Sequence, residues 1–285
     1  FAAVLWIIAS ALAYLPVSAV SEQVTQSRVL VALDSLVPPQ ARNAFSSLRA
    51  LVGQTDVPRV FSGLAQITGP DVDPPDPAAI TDAIDEVRPS VVQVFGDAPE
   101  CRTGVTGSGF VIEPGLVITN AHVVAGVDQP RVRERQGERA LRVTVVYFDP
   151  ETDIALLEVP RLDSPALALA RTPAASGDSA VVAGFPQSGP YRTEPVRIRT
   201  TVRALGDDIY GKAGVEREVY TFRGTVLPGN SGGPLLHPDG SVLGMVFGAD
   251  EQMDATGYAL TNTELVEALT QPRGETDTGS CRITD

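Results

Sequence analysis

The chain has 285 residues, 43% of them hydrophobic and 20% charged, enough for a packed core in one large or two small domains. A formal net charge of -13 argues against nucleic acid or an anionic lipid surface as a partner, since phosphate binding needs a basic face. Two histidines (His122, His237) and two cysteines (Cys101, Cys281) cannot build a Cys/His zinc cluster of ordinary spacing, so neither a metal nor a cofactor is expected.

Phe1–Val20, FAAVLWIIASALAYLPVSAV, carries no charge and has about the length of a bilayer-crossing helix. Pro16 ends or kinks it. A cleaved signal peptide fits less well, because no basic residue opens the segment. A start at Phe implies a longer membrane region upstream. The remainder is then extracytoplasmic, where Cys101 and Cys281 can pair rather than stay as buried thiols. A bridge between them would close a very long loop, worth ~4–5 kcal/mol on the chain-entropy model.

Residues 21–77 read as a juxtamembrane region. Phe45, Leu48 and Leu51 suit a short helix. Gly69–Pro77 packs four prolines and three aspartates into nine residues, a stiff exposed linker and a domain boundary. From residue 78 to 285 the pattern changes. Ile80, Ile84 and Val87 give one short helix that stops at Pro89. Short β-type runs follow: Val91–Phe95, Gly109–Ile112, Leu116–Thr119, Leu141–Phe148 and Ile154–Val159. They resume at Ala180–Gly184, Val196–Ala204, Glu218–Phe222, Pro234–Leu236, Val242–Phe247 and Tyr258–Leu260. A final helix over Thr263–Leu269 is capped by Thr261, Asn262 or Thr263. The fold class is all-β, and the gap near Ser164–Ser179 divides the strands into two barrels of about six strands each.

Three segments carry chemistry: Thr119-Asn120-Ala121-His122-Val123-Val124, Thr152-Asp153-Ile154-Ala155-Leu156-Leu157, and Gly229-Asn230-Ser231-Gly232-Gly233-Pro234-Leu235. A serine hydroxyl needs a base within hydrogen-bond reach, and the base needs a group that fixes its tautomer. Ser231, His122 and Asp153 supply these roles. The glycines let the chain turn so that the Gly229 and Ser231 N–H groups converge on a developing oxyanion. Asp149 is the competing carboxylate, but Asp149-Pro150-Glu151 reads as a turn. His237, in Leu236-His237-Pro238-Asp239-Gly240, reads as a hairpin turn, and Arg131–Arg139 as a solvated loop.

The segments TNAHVV, TDIALL and GNSGGPL, in that order, resemble the His, Asp and Ser motifs of chymotrypsin-fold serine proteases, particularly the HtrA/Deg branch. The entry Val87–Val92 and Gly107–Ile112 is similar to the start of an HtrA protease domain. The resemblance spans about Ala78–Thr270. With an N-terminal apolar segment, no PDZ domain and two bracketing cysteines, the chain looks most like the membrane-anchored acid-resistance protease (MarP) group of actinobacteria. That resemblance implies a periplasmic endopeptidase acting on envelope polypeptides in acid or oxidative stress, and it supports a Cys101–Cys281 disulfide. It also implies that Met245, Val246 and Phe247 pair with substrate backbone, and that Thr225 lies near the base of the pocket for the side chain preceding the cut. With no acid there, a small or apolar side chain is expected rather than Lys or Arg. Asn230 stands where digestive proteases carry an aspartate, so activation by a buried salt bridge to a new N-terminus is not expected.

Two other functions fit part of this pattern. An α/β-hydrolase esterase shares G-x-S-x-G but needs an acid and then a histidine after the serine, and here only His237 follows, six residues on. A catalytically silent, membrane-tethered binding module on the same fold would have no need for intact triad motifs.

Overall fold

A computed structural model describes residues 69–134, 139–249 and 255–281. The apolar segment 1–20 and the juxtamembrane helix near Phe45 lie outside the described residues. Among the described residues no helix is long and apolar enough to cross a membrane.

Antiparallel strands carry the fold. The first sheet contains β1 (Val91–Ala98), β2 (Thr103–Glu113), β3 (Leu116–Thr119), β4 (Arg131–Arg133), β5 (Leu141–Arg142), β6 (Thr144–Asp149) and β7 (Ile154–Glu158). Their order is β5-β4-β1-β2-β3-β7-β6. The second contains β8 (Ser179–Gly184), β9 (Arg192–Asp207), β10 (Ala213–Arg223), β11 (Pro234–Leu236), β12 (Val242–Ala249) and β13 (Thr256–Thr261), closed as β10-β13-β12-β11-β8-β9. The all-β expectation holds, with two differences in the first sheet, which has seven strands instead of about six. The run expected as a single strand over Leu141–Phe148 breaks at Val143. Its two halves occupy opposite ends of the first sheet, β5 on β4 and β6 on β7. One short stretch of chain therefore joins both ends, and the sheet curls on itself.

The expectation of a solvated loop over Arg131–Arg139 fails at its start. Arg131, Val132 and Arg133 pair with Phe95, Val94 and Gln93 of β1. Val132 is buried between two arginines that reach the other way, a period-2 pattern hidden by the charges. The same alternation sorts the core. Val92, Val94, Val111, Val117 and Leu157 fill the first barrel. Val182, Val196, Ile198, Phe222 and Val246 fill the second. Their strand neighbours, including Val91, Phe110, Ile118, Phe185 and Met245, form a cluster shared by both sheets. The active-site candidates sit along this shared seam.

Among the described residues two helices flank the strands: α1 (Asp82–Glu86), which buries Ile84, and α2 (Asn262–Thr270), which buries Leu265 and Ala268. Helix α1 ends ahead of Pro89, which lies in a 3-10 turn over Arg88–Ser90. Thr261 occupies the N-cap position of α2, yet its hydroxyl donates to Glu218 on β10 (2.8 Å) instead of capping its own helix. Gly69–Pro77 is largely exposed, as expected, but it is strapped to the second barrel. Arg199, Arg223 and Arg197 donate to the carbonyls of Pro70 (3.1 Å), Val72 (2.7 Å) and Pro74 (3.3 Å). Prolines cannot donate, but their carbonyls remain good acceptors.

Candidate active site

His122 lies in the 3-10 turn Ala121–Val123 just past β3, and Asp153 immediately precedes β7. These strands are antiparallel neighbours with Thr119 opposite Ala155, so the residues beyond their adjacent ends must meet. His122 Nδ1 stands 2.7 Å from Asp153 Oδ2, and the His122 backbone N–H donates to Oδ1 at 2.9 Å. Both carboxylate oxygens are thereby engaged by one residue. The Asp153 side chain is fully buried and that of His122 is only 8% exposed. Asp153 adopts φ +62°, a left-handed conformation that Asp tolerates better than most residues, and Asn120 Nδ2 holds its carbonyl at 2.9 Å. Asp149 does not compete. Its carboxylate accepts from Glu151 N–H (2.8 Å), Thr152 Oγ1 (2.5 Å) and Tyr147 OH (3.3 Å), closing the turn expected there. Burial, with Asp149 beside it, pushes the Tyr147 phenol pKa up.

Ser231 is buried on the loop entering β11. Gly229 has φ +95°, and a Cβ there would sit 2.5 Å from the Phe185 carbonyl. Gly232 has φ +81°, and its Cβ would sit 2.1 Å from the Ser108 carbonyl. Only glycine fits either place. The Pro228 carbonyl accepts from Gln187 N–H at 2.6 Å. Because a trans peptide points its N–H opposite its C=O, this bond aims the Gly229 N–H away from Gln187. Neither Gly229 N–H nor Ser231 N–H has an intramolecular acceptor among the described residues, so both remain available as donors. No hydrogen bond joins Ser231 Oγ to His122 in this structure; such contacts are often long before substrate binds.

Ser108, missed in the sequence as a site residue, ties the two barrels together at this point. Its Oγ accepts from Phe185 N–H (2.9 Å) and donates to the Gly229 carbonyl (2.6 Å), and its N–H donates to the Ser231 carbonyl (2.8 Å). Thr119 Oγ1 donates to its carbonyl at 2.7 Å. Asn230 engages Leu227 reciprocally, N–H to carbonyl and Oδ1 from N–H, both at 2.9 Å. Its side chain therefore orders its own loop.

The expected substrate residues need correction. Met245 is paired with Pro234 of β11, and Val246 gives its carbonyl to Gly232 N–H (2.8 Å) and its N–H to the Gly233 carbonyl (2.9 Å). Their backbone builds the nucleophile loop and is closed to a peptide. Only Phe247 of the three lies beyond β11, where β12 continues to Ala249. Thr225 is exposed between β10 and the nucleophile loop. His237 is exposed in its hairpin turn, 3.0 Å from Asp239. Cys101 and Cys281 form a disulfide across 180 residues, fixing the β1–β2 turn to the C-terminal tail. Among the described residues no three His, Cys, Asp or Glu side chains gather as a metal would require.

Residues 107–245 match the family model for the trypsin-like peptidase domain. The serine protease Rv3671c of Mycobacterium tuberculosis is 40% identical over 262 residues, which is 90% of this chain and 65% of that protein. The crystal structure of the Rv3671c protease in its active form is 41% identical, covering 79% of this chain and 100% of that one, with a TM-score of 0.72. The chain belongs to the trypsin-like serine peptidases. A probable periplasmic serine endoprotease, DegP-like, of Chlamydia pneumoniae is 32% identical over 151 residues, 52% of this chain and 30% of that protein. The chain thus spans about two-thirds or less of the length of these curated relatives.

Proposed function

We propose that this protein is an extracytoplasmic serine endopeptidase, tethered through its apolar N-terminal segment, that cleaves cell-envelope polypeptides in acid or oxidative stress. The observation that carries the chemistry is the buried His122–Asp153 pair on the seam opposite a glycine-rich turn with two unengaged N–H groups. Ser231 Oγ attacks the scissile carbonyl while His122 Nε2 takes its proton. Asp153 holds the Nδ1 proton and stabilises the imidazolium. The Gly229 and Ser231 N–H groups stabilise the oxyanion. His122 then protonates the leaving amine, the C–N bond breaks, and water hydrolyses the acyl-Ser231 ester by the same proton path in reverse.

The substrate backbone docks along β12 beyond β11, at Phe247–Ala249, as an added strand. Location and physiology rest on the apolar segment Phe1–Val20, the disulfide, and the DegP-like and Rv3671c relatives. The unformed Ser231–His122 bond is what a catalytically silent binding module would show. Incubation with a peptide library, read by mass spectrometry, separates the two. Cleavage after small or apolar residues, abolished in Ser231→Ala, supports the peptidase. Absence of cleavage under every pH and redox condition supports the silent module.

A further inference from the structure

The largest fully buried side chain of the described residues is a cation, Arg217 on β10, 1% exposed. Such burial is costly without compensating bonds, and an apolar residue of similar volume would ordinarily serve stability as well. No carboxylate lies within ion-pair distance of it among the described residues. Instead its guanidinium grips backbone. Nε donates to the Glu151 carbonyl at 2.7 Å, Nη2 donates to the same carbonyl, and Nη2 also reaches the Asp207 carbonyl at 2.9 Å.

Those two carbonyls belong to different barrels. Glu151 is on the turn between β6 and β7, two residues before Asp153, and Asp207 ends β9. The tip of the β9–β10 hairpin adds a second clasp on that turn, Ile209 N–H to the Pro150 carbonyl at 3.1 Å. At the surface Lys212 reaches Glu151 at 3.0 Å. Asp153 leaves this turn in a left-handed conformation that the turn must impose. Burial pushes the Arg217 pKa below its usual value, and the nearby carboxylates of Asp153, Asp149, Glu264 and Asp208 oppose that shift.

We propose that Arg217 is a positioning residue of the catalytic site, acting from the second barrel to hold the Glu151 carbonyl and so set Asp153 against His122. The inference rests on the reading of His122, Asp153 and Ser231 as the catalytic group. It goes beyond that reading by making the aspartate's placement depend on the opposite barrel. A loosened turn lets Asp153 drift, and a displacement of about 1 Å in a catalytic constellation costs up to about 100-fold in rate.

The test uses the full chain with Arg217→Met, which removes the fork, and Arg217→Lys, which keeps the charge and one donor. Two readouts are taken: the rate of Ser231 labelling by a fluorophosphonate, and the far-downfield proton resonance of the His122 Nδ1–H in its short bond to Asp153. Arg217→Met is expected to slow labelling about 10-fold or more and to lose the resonance while the rest of the spectrum stays dispersed, with Arg217→Lys intermediate in both. In an Asp153→Asn background, Arg217→Met should slow labelling by less than about 3-fold, because the residue through which it acts is already disabled. A folded Arg217→Met that keeps the resonance, or a full 10-fold loss repeated in the Asp153→Asn background, overturns the proposal. If Arg217→Met does not fold, Arg217→Lys decides: labelling at the wild-type rate overturns it, and slowed labelling with a weakened resonance supports it. A wild-type protein that is not labelled at all counts against the catalytic reading. The resonance, present in wild type and absent in Arg217→Met, would still support the positioning role.

Discussion

Replacing Ser108 by alanine removes one buried oxygen and tests whether the two barrels are joined at the nucleophile loop. Ser108 is 0% exposed, and its hydroxyl is the partner of both the Phe185 N–H at 2.9 Å and the Gly229 carbonyl at 2.6 Å. Alanine leaves both groups buried without that partner. Each such orphan costs about 1–3 kcal/mol, so a loss of about 2–4 kcal/mol is expected. For a domain of this size that corresponds to a fall in melting temperature of about 5–15 °C. In the proposed mechanism the N–H groups of this turn receive the oxyanion, and the Gly229 carbonyl helps hold the turn, so kcat/KM should fall by about 10-fold at temperatures where the variant remains folded. Differential scanning fluorimetry and progress curves on a cleaved peptide measure the two effects. A melting temperature within about 2 °C of wild type, together with unchanged kcat/KM, would refute the claim that this hydroxyl couples the barrels.

Three further outcomes follow from the same geometry. Asp153→Asn should fold normally, since asparagine accepts φ +62°, yet lose about 10⁴-fold in turnover by failing to hold the right histidine tautomer; a loss under about 100-fold would remove Asp153 from that role. Replacing Cys101 and Cys281 together by serine opens a loop of 180 residues, worth about 5 kcal/mol on the chain-entropy model, and should lower the melting temperature by about 10 °C or more; an unchanged melt would contradict it. The hydrogen bond from Arg273 holds the Glu113 carboxyl below its usual value of 4.5. The pair therefore contributes stability above that value and loses it as pH falls through the lowered pKa. Arg273→Gln should cost less than about 1 kcal/mol near neutrality and nothing in strong acid, as measured by urea melts, and an equal cost at both would refute the linkage.

The sequence was most readable where a local pattern maps directly onto a strand end. TNAHVV and TDIALL each place a polar residue next to an apolar strand, and the antiparallel pairing of β3 with β7 brings His122 to Asp153 without further information. GNSGGP was readable because Gly229 and Gly232 occupy backbone positions that exclude any other residue. What escaped the sequence depends on contacts between distant segments. Ser108 and Gly229 are 121 residues apart, and nothing local marks the serine as their link. Arg217 lies in an alternating, charge-rich stretch, Val215-Glu216-Arg217-Glu218, that reads as an exposed strand face until β10 is set against the Asp149–Asp153 turn. Val132 was hidden by the arginines on either side, and the break at Val143 appears only when the first sheet curls shut. Met245 and Val246 were placed on the right strand but at the wrong positions, because where β11 ends is a matter of register.

The proposed function makes Ser231 a nucleophile activated by His122. Its most direct test is reaction of the full chain with a fluorophosphonate, followed by peptide mass spectrometry of the adduct. A single phosphonyl group on Ser231, formed in wild type and greatly slowed in His122→Ala, is the predicted result. An adduct on another serine, or labelling of Ser231 at the same rate in His122→Ala, would contradict it.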